Sequence, residues 1–182
     1  MDSVMKILKP SAGTYPAYYD TYFKWVDEGE SILEIIQHHL QDALEFWHTI
    51  NEEEAGFRYE EGKWSIKELL SHITDTERIF VFRALSISRK EDKLLPGFDQ
   101  DAYVEASGAH QRSWSELLLE YQHVKQASYD FFVSLNEEQW QAHGASESGP
   151  VNMAAFAYVL PGHDAHHQNI VKERYLAKLR KP

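Results

Sequence analysis

The sequence contains no cysteine, which excludes disulfides, thiolate zinc sites and a cysteine nucleophile and leaves a reducing compartment open. Any metal must then sit on His, Asp or Glu side chains. Positive charge is also scarce: 18 Lys and Arg stand against 29 Asp and Glu, a formal net charge of -11. That balance repels phosphate backbones and anionic lipid surfaces, so neither nucleic acid nor a membrane is an expected partner. No run approaches the roughly 18 apolar residues that a membrane span needs, and the stretch from Met1 to Asp20 lacks the apolar core of a signal peptide. These absences point to a soluble protein, cytoplasmic by default. Alternation of apolar and polar residues is nearly missing, which argues against a sheet. Internal repeats and low-complexity tracts are missing as well.

What is present is helical patterning. The 182 residues, 43% of them hydrophobic, suit one domain over 1–182 with one sizeable core. From about Glu30 to Ile50 apolar side chains recur at Leu33, Ile36, Leu40, Ala43, Leu44 and Trp47, one buried stripe of a first helix. A second helix opens at Ser65, where Ser65 and Glu68 form a capping box and Trp64 can staple onto Leu69. A third opens at Ser113 with Glu116 and carries Trp114, Leu117, Leu118, Tyr121, Val124, Ser128, Phe131, Phe132 and Leu135. The fourth runs from near Asn152 to about Leu179, and Pro161 inside it is expected to kink or split it. The expected fold is an all-α four-helix bundle with a long loop, about Lys90 to Gln111, between helices 2 and 3. The aromatic N-terminal arm, about residues 1–28, is expected to pack across the bundle through Tyr15, Tyr19 and their neighbours.

Two of the ten histidines, His163 and His167, stand four apart, so on a helix they point the same way and can share one metal ion. With that many histidines the spacing alone proves little. His72 lies in the second helix on a face shared with Asp75, Thr76, Ile79 and Arg83. The residues alone leave two readings of that face open, a polar pocket inside the bundle or a solvated flank. His38, His39, His48, His110, His123 and His143 have no partner at useful spacing and are read as solvated or packed. His166 projects about 100° from His167 and cannot share an ion with both neighbours. Glu77 lies about 140° round the helix from His72 and reads as an ion-pair partner.

Several segments together resemble the DinB-like, or YfiT-like, family of metal-dependent four-helix-bundle enzymes. They are Lys63-Trp64-Ser65-Ile66-Lys67-Glu68 leading to His72-Ile73-Thr74-Asp75-Thr76-Glu77-Arg78, then Arg83-Ala84-Leu85, Leu95-Pro96-Gly97-Phe98-Asp99, and Gly162-His163-Asp164-Ala165-His166-His167. The resemblance implies that His72, His163 and His167 bind one divalent metal ion; the nitrogen-rich ligand set suits a transition metal, zinc or nickel being the expected occupant, with iron and manganese also compatible. It further implies activation of a low-molecular-weight thiol, as in the S-transferases and the thiol-dependent isomerase of the family, acting on a small-molecule substrate in a homodimer; the same ion would equally suit activation of water, as in a hydrolase.

Three neutral imidazoles leave an ion most of its charge and at least one open position, the pattern of a catalytic site. Asp75 and Arg83 are the candidates for supporting catalytic roles, as an orienting base and as a partner of it or of a substrate carboxylate. The segment Pro96 to Tyr103 is the expected wall of the substrate cleft. The alternative reading is a non-catalytic interaction module in which the metal is a structural pin and Asp75 or His166 fills the open position. A di-iron carboxylate site would need paired Glu-x-x-His motifs, and Glu45-Phe46-Trp47-His48 stands alone.

Overall fold

Side chains at the helix starts set the frame. In the computed structural model, which describes residues 7, 9–26 and 31–181, Ser31, Ser65 and Ser113 each accept a hydrogen bond from the amide three residues on. Glu34, Glu68 and Glu116 reach back to the capping residue's own amide, completing three capping boxes. The helix start expected at Glu30, the remaining N-terminal arm and the leader reading of the first residues lie outside the described residues.

In chain order, a 3-10 turn over Ala17–Tyr19 leads into α1 (Asp20–Phe23), then α2 (Ile32–His48), α3 (Glu52–Ala55), α4 (Ile66–Ser88) and α5 (Gln100–Ser107). After a second 3-10 turn come α6 (Trp114–Val133), α7 (Glu137–Trp140), the strands β1 (His143–Ser146) and β2 (Gly149–Asn152), α8 (Met153–Ile170), a π-helical turn over Val171–Leu176, and α9 (Ala177–Leu179). The four long helices α2, α4, α6 and α8 form the bundle. Each of α2 and α4 packs on both α6 and α8, so consecutive long helices sit diagonally or side by side in alternation. That order puts α4 beside α8, the contact the histidines need.

Three features depart from the sequence expectations. The fourth helix neither splits nor stops at Pro161 but runs on to Ile170. Nearly every side chain from Met153 to Asp164 is buried, and packing on all faces outweighs the one backbone hydrogen bond a proline removes. The regular helix gives way only at the π-helical turn. Second, the long connection contains α5, capped by the Asp99 side chain on two amides and ended by Gly108 at a φ of 64°. Third, a small antiparallel hairpin pairs His143 with Asn152 through Ser146 with Gly149. Leu95 joins its edge, donating to the Ala145 carbonyl at 3.1 Å and accepting from the Glu147 amide at 3.2 Å. The hairpin therefore fixes the segment that begins at Leu95.

The core falls into two apolar clusters, one around Phe80, Phe132 and Met153–Leu160, the other around Trp47, Leu70, Trp114 and Tyr175. Between them each long helix contributes a polar residue: His39 from α2, Glu77 from α4, Lys125 from α6 and Asp164 from α8. Tyr15, Tyr19 and Phe23 of the arm are buried against the first cluster. None of the described helices is long and apolar enough to cross a membrane.

Candidate metal centre

His163 and His167 stand one turn apart on α8, and α4 brings His72 against them. The Nε2 atoms of His72 and His167 lie 3.2 Å and 3.1 Å from Nε2 of His163, and one ligand atom from each of the three residues falls within 4.8 Å of the others. Nε2 of His163 carries either one lone pair or one proton, so it cannot serve both neighbours as ordinary hydrogen-bond partners. A cation among the three nitrogens resolves that crowding. Metal–nitrogen bonds of 2.0–2.1 Å around a tetrahedral ion place two ligands about 3.3 Å apart, close to both observed spacings, so the donor set fits a transition metal.

The electrostatics agree. Burial lowers the pKa of His72 to about 4. Burial and the neighbouring His72 and His166 lower that of His167 to about 3, and His163 is held well below its ordinary value by burial and by the other two imidazoles. All three rings are therefore neutral near pH 7, the state in which a nitrogen lone pair can bind a metal. Among the described residues no other group of three His, Asp or Glu is assembled in this way.

Asp164, between the two α8 histidines in sequence, points to the opposite side and is fully buried. Its carboxylate accepts from the Tyr121 hydroxyl, from Lys125 Nζ at 3.0 Å and from Gln168 Nε2 at 3.1 Å. Lys125 also reaches Glu77 at 2.9 Å. Burial by itself would raise the Asp164 pKa, but Lys125 and the other donors hold it well below the usual carboxylate range. His39 Nε2 lies 3.7 Å from Asp164, too far for a hydrogen bond. This lattice locks α8 to α6 and α4 and so fixes the rotation of α8 that aims His163 and His167. Glu77 is the ion-pair partner its helix position predicts, whereas the helical spacing alone does not single out Asp164. The available signal was Lys125, a charged residue one turn from Tyr121 and within reach of an otherwise apolar stripe.

The other candidates divide. Arg83 is buried, stacks over Phe80 at 5.2 Å and donates to the Pro96 carbonyl at 2.5 Å. Asp75 does not join it: its carboxylate is bound by Arg78 at 3.1 Å, in a surface cluster with Glu120 and Arg112. His166 packs between Tyr22 and Trp25, with ring centroids 5.6 Å and 6.3 Å away. Neither Asp75 nor His166 takes the open side of the histidine cluster.

That side faces a cavity of about 180 Å³. His72, His163, Thr76 and Arg83 form its floor, and Tyr18, Tyr22 and Phe98 stand in its walls. Gly97 and Phe98 come from the segment held by the hairpin, and with Gln100 they are the part of the stretch from Pro96 to Tyr103 that lines the cavity. A second, wider hollow of about 560 Å³ reaches His167 from the other face, bordered by Trp64, Lys63 and Arg174. The Tyr22 ring meets His163 edge-on at 5.1 Å and the Trp64 ring lies 4.9 Å from His72, so aromatic groups screen the nitrogens on both flanks. Tyr22 can come so close because Gly162 has no side chain: a Cβ there would collide with the Tyr22 carbonyl. Helix propensity favours alanine over glycine by about 1 kcal/mol, but the clash is with backbone and should dominate. Gly162→Ala is therefore expected to lower stability by about 1–3 kcal/mol, read as a fall in the urea midpoint, and a gain would mean that the arm yields freely.

Comparison with known proteins agrees with these observations. The sequence pattern of the DinB superfamily matches residues 32–171. The chain is 27% identical over 125 residues to the Putative metal-dependent hydrolase OB0413 of Oceanobacillus iheyensis, covering 68% of this chain and 72% of that one. The solved structure of YfiT from Bacillus subtilis, described as a probable metal-dependent hydrolase with an unusual four-helix bundle topology, superposes with a TM-score of 0.67 at 16% identity over 97% of this chain and 95% of that one. Its likeness establishes the fold, and the match from α2 into the π-helical turn establishes the kinship: the chain belongs to the DinB superfamily.

Proposed function

We propose that the protein is a metal-dependent enzyme holding one divalent transition metal, zinc or nickel, on His72, His163 and His167 and acting on a small molecule in the adjoining cavity. The observation that carries this reading is the convergence of three neutral imidazole nitrogens at spacings an ion fits, with one side left open to that cavity. When bound there, a divalent ion supplies Lewis acidity that lets a water or a thiol ionise near neutral pH. The chain's own residues do the rest. Asp164, Lys125 and Glu77 fix the helices, the rings of Tyr22 and Trp64 limit water, and Arg83 and Thr76 face the space a substrate would fill.

Hydrolysis is the first reading, in keeping with the names its relatives carry. Thiol transfer is the second, and one observation favours it: the hollow beside His167 gives a second organic substrate its own approach to the centre. The structural-pin alternative needs a protein group on the open side, and the positions of Asp75 and His166 speak against it.

The test is metal content by mass spectrometry on protein purified without a histidine tag. About one transition metal per chain is expected in the wild type, with loss of it in His72→Ala and in His163→Ala. A wild type that carries none, cannot be loaded with zinc or nickel and matches both variants would sink the metalloenzyme reading.

A further inference from the structure

The cavity contains two buried polar side chains that the metal centre does not use, Thr76 and Arg83. The Thr76 hydroxyl is buried, with the residue 3% exposed, and finds no hydrogen-bond partner among the described residues. A buried hydroxyl left unpaired is costly, so the space in front of it suits a ligand that supplies the missing bond. The Arg83 guanidinium is 6% exposed and has no carboxylate within ion-pair distance among the described residues. Its neighbours are the Pro96 carbonyl, the Phe80 ring and Tyr19. Tyr19 gives it no countercharge, because burial first, and then Tyr18, hold the phenol neutral by raising its pKa. A buried cation without a counter-ion is expensive unless an anion arrives to complete it. No Asp or Glu lines the cavity, and Arg83 is its one permanently charged wall group among the described residues.

These groups are ordered along one face of α4. His72 comes first, Thr76 one turn on, Phe80 the next turn and Arg83 beyond it, and all four line the same cavity. The backbone separation of His72 and Arg83 is about 16 Å at 1.5 Å per residue, shortened because an arginine side chain leans back toward the N-terminus of its helix. Between the two ends stand the aromatic faces of Phe80, Phe98 and Tyr22. The free volume of about 180 Å³ limits the occupant to a small molecule.

Building on the metal-dependent reading above, we propose that the cavity binds an elongated small monocarboxylate with an apolar or aromatic body, its carboxylate on Arg83, one polar atom on Thr76 and its reacting end toward His72 and His163. A single planar guanidinium matches one carboxylate with a two-pronged hydrogen bond and one countercharge. A dianionic phosphate would find only half its charge met. Arg83 is thus a specificity-determining residue, and Thr76 a second contact that sets the register of the substrate along α4.

The test uses the full chain freed of metal with a chelator, so that binding is read by calorimetry and owes nothing to turnover. The probes are 3-phenylpropionate, its neutral counterpart 3-phenylpropanamide, and 2-phenylethylphosphonate. The acid is expected to bind about ten- to a hundredfold tighter than the amide, the range of a charge-assisted hydrogen bond, and tighter than the phosphonate. Arg83→Gln should abolish the preference for the acid, Arg83→Lys should keep part of it, and Thr76→Val should weaken all three probes by about tenfold or less. Equal binding of acid and amide by the wild type, or no detectable binding of either, overturns the proposal without reference to any variant. Tighter binding of the phosphonate overturns the choice of a monocarboxylate. Metal content is measured on the same samples: an Arg83-dependent preference in a protein that never takes up metal would remove the metalloenzyme reading and leave the anion site standing. Retained metal with no acid preference does the reverse.

Discussion

Lys125→Met should lower the free energy of unfolding by about 3–5 kcal/mol, the range found when one partner of a buried ion pair is removed. The Lys125 ammonium lies 2.9 Å from Glu77 and 3.0 Å from Asp164, and all three residues are buried. Burial alone would lower the lysine pKa, but the Asp164 and Glu77 carboxylates raise it above the ordinary value, so the side chain is firmly charged. Methionine preserves most of the volume, so the cost measured is that of two carboxylates left facing each other in the core. Urea denaturation of wild type and variant reads it directly. The double variant Lys125→Met with Glu77→Gln should recover part of the loss, because one of the stranded charges is gone. A Lys125→Met protein within about 1 kcal/mol of wild type would mean the network is better hydrated than its burial indicates.

Acid should destabilise the metal-free protein well above the pH at which carboxylates titrate. Burial depresses the pKa of His72 from 6.5 to about 4 and that of His167 from 6.5 to about 3, and His163 is also lowered. The unfolded chain therefore takes up protons between pH 6.5 and 4 that the folded chain refuses. The stabilising contribution is present above 6.5 and is lost as pH falls toward the folded values. His72 alone accounts for about 3 kcal/mol of it. Unfolding followed in urea with a chelator present, at pH 7 and at pH 5, should show the slope, and His72→Ala should make it shallower. Loading with zinc should raise stability at pH 7 and leave the slope at least as steep, since a lone pair engaged by metal still refuses the proton that the unfolded chain takes up. Stability that stays flat across this interval in the metal-free protein would contradict the neutral, desolvated state of the cluster.

The legible parts of this molecule are those written in local chemistry. Ser65 with Glu68 and Ser113 with Glu116 announce helix starts that the structure reproduces as capping boxes, because a cap depends on residues three apart in sequence. The facing of His163 and His167 follows from helical spacing in the same way. The approach of His72 to them depends on which helices are neighbours, and only the family resemblance spoke to that. The hairpin leaves no pattern in the sequence because its strands are four residues each, interrupted by Gly144, Gly149 and Pro150, and held by Leu95 from a distant segment. Pro161 does not split α8, because one lost hydrogen bond is a local cost while the burial of α8 on every side is a tertiary gain. Asp75 and Arg83 share a face on paper, yet Arg78 lies one turn from Asp75 and draws it toward Glu120, whereas Arg83 is drawn to the carbonyl of Pro96.

Gln100, the first residue of α5, borders both hollows that lead to the histidines. The site is therefore divided like two chambers sharing a doorpost, with an exposed side chain as the post. A larger residue there would narrow both entrances at once, and a smaller one would merge them into a single wide vestibule. The size of molecule admitted can thus drift by exchange at one surface position, while the metal-binding nitrogens and the buried charges behind them stay untouched.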